Sequence, residues 1–146
     1  MPRTRKRGNF LAMLFAVALG GALGSVCRYL AVTLGAPRAG GFPWATFAVN
    51  VTGSFLLGFL ARYFGAPAVV LTPGTSPAHA PALAAGLTAG FCGGYTTFSA
   101  FSYEMLTMAE RGAWGRAMLY AAGSVTLALA AAAAGAVLAR AARGGA

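Results

Sequence analysis

Negative charge is nearly missing from this chain: 11 Lys and Arg stand against two carboxylates, Glu104 and Glu110. With a single histidine, His79, and two cysteines, Cys27 and Cys92, there is little from which to build acid–base or nucleophilic catalysis. An enzyme is not expected. The cysteines both fall in apolar segments without partner spacing, and inert buried thiols are their default reading. Charged residues of either sign make up only 9% of the 146 residues, whereas a soluble domain carries roughly 25%. Water therefore cannot cover the whole surface. A soluble alanine-rich bundle would need polar outward faces that the long segments lack.

What is present is hydrophobic: 58% of the chain, with a mean hydropathy of +0.69. Apolar stretches of the roughly 20 residues that cross a bilayer recur along it. The pattern predicts an all-α integral membrane protein, a single four-helix membrane domain over 1–146, with spans near 10–34, 44–64, 81–108 and 114–139. A basic arm, 1–9, holds Arg3, Arg5, Lys6 and Arg7. A basic start, an apolar run and Ala16-Val17-Ala18 also fit a signal peptide, but the run continues past Leu30 to spanning length. Trp44 and Tyr63 fit the interfacial aromatic belt at the two ends of the second span. A Gly/Pro turn, 35–43, precedes that span, and a loop, 65–80, follows it with Pro67, Pro73, Pro77 and a solvated His79.

Basic residues flank the apolar segments instead of forming a stripe, which fits anionic lipid and not nucleic acid. Four spans put both termini on one side. That side carries seven basic residues (the four of the arm, Arg62, Arg140, Arg143) against three on the other (Arg38, Arg111, Arg116). The termini are thus expected in the cytoplasm. Small residues at four-residue spacing (Gly20 and Gly24, Ser54 and Gly58, Gly86, Gly90 and Gly94) favour close helix packing in lipid.

The most informative segment is Gly90-Phe91-Cys92-Gly93-Gly94-Tyr95-Thr96-Thr97-Phe98-Ser99-Ala100-Phe101-Ser102. Two glycines followed by two threonines would weaken a helix in mid-membrane, where unwound backbone is tolerated only if buried in protein or lining a wet cavity. Such breaks often aim carbonyl oxygens at a cation. Equally, the segment could be a glycine-packed helix with its hydroxyls bonded back to their own backbone. Phe98 and Phe101 share a helical face, either as packing or as part of a polar path among Thr96, Thr97, Ser99 and Ser102. Asn50 is the one amide in the middle of the second span, either an interhelical hydrogen-bonding group or a pore-lining donor. Arg28 inside a span costs about 2.5–3.5 kcal/mol at a helix centre; it either snorkels or serves function. Tyr120 and Ser124 lie four apart on one face of the fourth span.

At these residues the sequence resembles the Fluc (CrcB) family of fluoride channels. The matches are Gly24-Ser25-Val26-Cys27-Arg28-Tyr29, Asn50-Val51-Thr52-Gly53-Ser54-Phe55 with Gly58, and Gly90 to Ser102, the most specific. The resemblance implies an antiparallel, dual-topology homodimer in the cell (inner) membrane, its third helix broken in mid-membrane, with fluoride pores along the interface. It implies passive fluoride efflux that lowers cytoplasmic fluoride toxicity. It also implies a central structural Na+ held by backbone carbonyls, by motif position those of Gly93 and Thr96. Phe98 and Phe101 match the pore phenylalanines, Asn50 the pore asparagine, Tyr120 and Ser124 the polar track, and Arg28 the first-helix arginine. Position 128 is alanine, where some members carry a further hydroxyl. The seven-to-three charge ratio also exceeds what dual topology would suggest.

The chemistry is coherent with that expectation. Fluoride holds water tightly, so a selective pore must replace its shell with close donors: hydroxyls, amides and the positive edges of phenyl rings. A fixed cation draws anions into a low-dielectric path. The scarcity of titratable groups in the spans argues for passive flow over a proton-coupled pump. A small four-helix multidrug transporter is the rival, and it would need a deep carboxylate, for which Glu104 is the candidate. A membrane scaffold without transport activity has no use for the threonine-rich break.

Overall fold

Apolar runs of this length satisfy their backbone in lipid only as helices or closed barrels, and in the computed structural model they form helices. The structure describes residues 3–35, 41–65 and 81–144, and among these there is no strand. The loop with His79 and the basic residue Arg38 lie outside the described residues.

Helix α1 is Arg3–Leu34 and α2 is Trp44–Tyr63. The third region is composite: α3 Pro81–Ala85, a π-helical stretch Gly86–Cys92, α4 Gly93–Tyr95, two extended residues, and α5 Phe98–Glu110. Helix α6 is Trp114–Ala142, entered through a tight turn at Gly112, whose φ of +74° suits glycine. Phe10–Leu34, Trp44–Tyr63 and Trp114–Ala142 are long and apolar enough to cross a membrane by length and composition. The third region is helical too, but its longest single piece, α5, has only 13 residues.

Two helix pairs make the bundle. Helix α1 packs along 81–95 and α2 packs along α6, and in both contacts the backbones touch where side chains are missing. A Cβ on Gly20 would strike the Gly86 carbonyl, one on Gly24 the Phe91 carbonyl, and one on Gly94 the Gly21 carbonyl. Across the other pair, a Cβ on Gly58 would strike the Ala132 carbonyl and one on Gly135 the Phe55 carbonyl. Lipid-like solvent gives helices no hydrophobic reason to associate, so close approach and dispersion must hold them. The outward faces are apolar. On α1, Leu14, Phe15, Leu19 and Leu23 are all at least half exposed, and only 6% of its apolar window is buried. Such a surface needs hydrocarbon around it.

The π-helical stretch lies in the α1 contact. Within it the Thr88 hydroxyl donates to the Ala84 carbonyl at 2.6 Å, taking an acceptor that a regular α-turn offers to the Thr88 N–H. Widened turns of this kind tend to sit near functional sites.

Candidate functional site

The third region breaks at the threonines, not at the glycines before them. Gly93 is still helical (φ −66°, ψ −37°), whereas Thr96 (φ −78°, ψ 157°) and Thr97 (φ −148°, ψ 120°) are extended. The glycines that composition marks as the weak point serve other ends: Gly94 meets α1, and Gly93 faces open space. Side chains then replace the helical ladder. A continuing helix would send the Thr97 N–H to the Gly93 carbonyl; it goes instead to Asn50 Oδ1 at 2.8 Å, while Asn50 Nδ2 donates back to the Thr97 carbonyl at 3.0 Å. The Ala100 N–H, due to the Thr96 carbonyl, goes to Thr97 Oγ1 at 3.1 Å, so Thr97 is the N-cap of α5. The Gly94 carbonyl accepts from Arg28 Nε at 3.0 Å and from Ser25 Oγ at 3.5 Å. Hydroxyl back-bonding also occurs: Thr96 Oγ1 donates to the Cys92 carbonyl and Ser102 Oγ to the Phe98 carbonyl, both at 2.9 Å. Unwound backbone and hydroxyl back-bonding thus both occur in this segment, a few residues apart.

Beside the break lies a groove of about 260 Å³ lined by Asn50, Ser54, Thr96, Thr97, Phe98, Phe101 and Ser124 among others. Its two rings have centroids 5.7 Å apart at 41°, with Phe98 80% exposed and Phe101 only 9%. Ser124 Oγ is buried and is the one buried side-chain polar atom without a hydrogen-bond partner among the described residues. An orphaned hydroxyl in an apolar setting costs about 1–3 kcal/mol, so it calls for a ligand or a function.

The structure thus gathers Asn50, Phe98, Phe101, Ser124 and Thr96 at one groove. Tyr120 and Arg28 are not among the residues that line it. Tyr120 is fully buried behind Phe101, ring centroids 4.9 Å apart, and its hydroxyl donates to Glu104 Oε2 at 2.7 Å. Thr46 donates to Glu104 Oε1 at 2.6 Å. Arg28 is turned to the break, where its Nε donates to the Gly94 carbonyl. Gly93 is exposed at the end of the helical run.

Sequence reasoning did not single out Thr46, and it saw in Glu104 only a lone deep carboxylate. A signal existed for both: Thr46 precedes Asn50 by one turn and Glu104 follows Phe101 by three, placing them on faces already singled out. Among the described residues no three His, Cys, Asp or Glu cluster to hold a metal.

Apolar outward faces, three spanning helices and a fourth helical rod interrupted at a hydroxyl-lined groove define a multi-pass helical membrane protein. Residues 15–136 match the family model described as CrcB-like protein, Camphor Resistance (CrcB). The chain belongs to the CrcB family. A protein of Rhizobium meliloti (strain 1021) named Fluoride-specific ion channel FluC is 44% identical over 129 residues, covering 88% of this chain and 96% of that one. A like-named protein of Rhodospirillum centenum is 47% identical over 118 residues, 80% of this chain and 86% of its own. Another, from Caulobacter vibrioides (strain NA1000 / CB15N), is 44% identical over 129 residues, 87% and 94% respectively.

Proposed function

We propose that this chain is a subunit of a fluoride-selective channel of the cell (inner) membrane, passing fluoride outward by passive flow. The observation that carries the reading is the groove, lined by Asn50, by Ser124 with its orphaned hydroxyl and by two phenylalanines beside the start of α5. A small, strongly hydrated anion needs such donors in place of water. The N-terminal end of α5 adds the positive end of a helix dipole. The names of the relatives agree.

The finer reading has the 96–97 break at mid-membrane and the subunits paired antiparallel, with a structural Na+ between them. The residues fit such an ion. Gly93 and Thr96, whose carbonyls it would use, are those whose helical donors are diverted to Asn50 and Thr97. The Gly94 carbonyl between them is taken by Arg28. Carbonyl oxygens suit a hard cation, and such an ion would supply a fixed positive charge. The open space at Gly93 leaves room for a second copy. The rival transporter reading needs Glu104 to receive cationic drugs, but both of its oxygens already accept hydrogen bonds.

The deciding experiment is ion flux from liposomes. Fluoride is expected to escape while chloride is retained, and exchange of sodium for a large organic cation is expected to abolish the flux. Comparable chloride flux would refute the selectivity, and full activity without sodium would refute the cation. For the antiparallel pairing, a Glu110→Cys, Cys27→Ala protein should label from both faces of the membrane with an impermeant reagent; labelling from one face alone would mean that the basic residues fix one orientation.

A further inference from the structure

We infer that Asn50 is the positioning residue that holds the third helical region open, and so fixes the carbonyl pair that a central cation would use. This rests on the cation reading above. The resemblance makes Asn50 a pore group; its geometry assigns it a second task. Its amide meets the backbone of Thr97 on both sides, accepting from the N–H at 2.8 Å and donating to the carbonyl at 3.0 Å. A primary amide has the same donor and acceptor as a peptide group, so Asn50 stands in for the helical neighbours that Thr97 lacks. Without it, the Thr97 N–H loses its partner and the nearest acceptor along the chain is the Gly93 carbonyl, four residues back. Buried backbone does not stay unpaired in lipid. Helix would then re-form across the break and withdraw that carbonyl.

The surroundings limit other ways of holding it open. Thr97 Oγ1 is committed to the Ala100 N–H, and Thr96 both donates its N–H and bonds its hydroxyl to Cys92. Arg28 and Ser25 reach only the Gly94 carbonyl. Among these groups, Asn50 alone meets the N–H that decides the state of Gly93. Its amide also lines the groove, so one side chain borders the groove and bonds the residue next to the Thr96 carbonyl.

The test separates these two tasks by reading sodium binding without flux. Purified protein is melted in fluoride-free buffer across a sodium titration balanced with N-methylglucamine, and the midpoint of the sodium-dependent rise in Tm is compared among variants. Asn50→Ala should raise that midpoint at least tenfold. Asn50→Asp keeps an acceptor for the Thr97 N–H and should stay within about threefold of the parent, a difference of under about 0.7 kcal/mol. Asn50→Leu, which keeps the bulk, should behave as alanine does and replaces it if the alanine protein does not assemble. Thr52→Val on the same helix, outside the bracket, should leave the midpoint unchanged. If Ala, Leu and Asp all keep the parent midpoint, or all lose it alike, the inference is overturned and Asn50 serves the groove alone. A parent protein with no sodium-dependent shift would remove the cation reading and the inference with it.

Discussion

The contact between α1 and 81–95 and the break at 96–97 adjoin each other, yet they solve the same problem by opposite means. Along α1, side chains are removed so that backbone meets backbone: Gly20, Gly24, Gly86 and Gly94 leave no room for a Cβ. At the break, side chains are recruited to finish what the backbone leaves undone, with Asn50, Thr97 and Arg28 each taking a hydrogen bond that a helix would have made for itself. The comparison teaches where each region is vulnerable. The first fails by steric intrusion and should lose the fold. The second fails by chemistry and should lose function while the fold stands.

The largest effect should come from overfilling the first region. Gly24→Leu drives a side chain into the Phe91 carbonyl, and backbone cannot yield as a flexible side chain does. A loss of about 3 kcal/mol or more is expected, at the upper end for overpacked sites. Size-exclusion yield and Tm in detergent would measure it. A well-assembled Gly24→Leu protein would show that the α1 contact is looser than its geometry.

Next comes the groove. Phe98 is 80% exposed and Phe101 9%, so their isoleucine variants should part company. Phe98→Ile should leave Tm nearly unchanged, because little burial is lost, yet lower fluoride flux at least tenfold through loss of the ring edge. Phe101→Ile should lower flux as well and also cost about 1–3 kcal/mol of stability from poorer fit against Tyr120. Normal flux per folded dimer in both would break the division between a packing region and a chemical one.

At Ser124 the effect on stability should be small and, where present, a gain. Removing an unpartnered buried hydroxyl lifts a desolvation cost, so Ser124→Ala should be neutral or about 1 kcal/mol more stable. Flux should nonetheless fall. A variant that is destabilised by more than about 1 kcal/mol would mean that the hydroxyl has a structural partner.

Much of the fold was legible because lipid enforces simple rules. Trp44 and Trp114 open α2 and α6 where the aromatic and apolar patterns begin, and small residues at four-residue spacing mark contacts that the structure makes through Gly20, Gly24, Gly58 and Gly94. A break within 93–97 was readable from two glycines followed by two threonines; which of those residues leave the helix was not, because that depends on the partner that Asn50 offers Thr97 from another helix. The π-helical stretch left no sign, since nothing in Gly86–Cys92 differs from an ordinary glycine-rich helix until Thr88 bonds backwards. Asn50 could be read as a hydrogen-bonding group or as a pore donor. The structure shows the first, with both ends of the carboxamide on the Thr97 backbone, and it sets the same residue at the edge of the groove. Arg28 resisted assignment because its partner is a main-chain oxygen 66 positions away.

The widened turns of Gly86–Cys92 have a consequence for how such a chain can change over generations. A helix with five-residue loops in its ladder holds more residues in a given height than an α-helix does. Its two ends are pinned, by Gly86 on Ala16 and by Gly94 on Gly21. The stretch therefore stores slack, like a fold in cloth. Loss of one codon there shortens the ladder to ordinary turns without dragging the break or the groove away from α1 and α2. Loss of a codon in the taut helices α2 or α6 has no such reserve, and every side chain beyond it would rotate away from its partner.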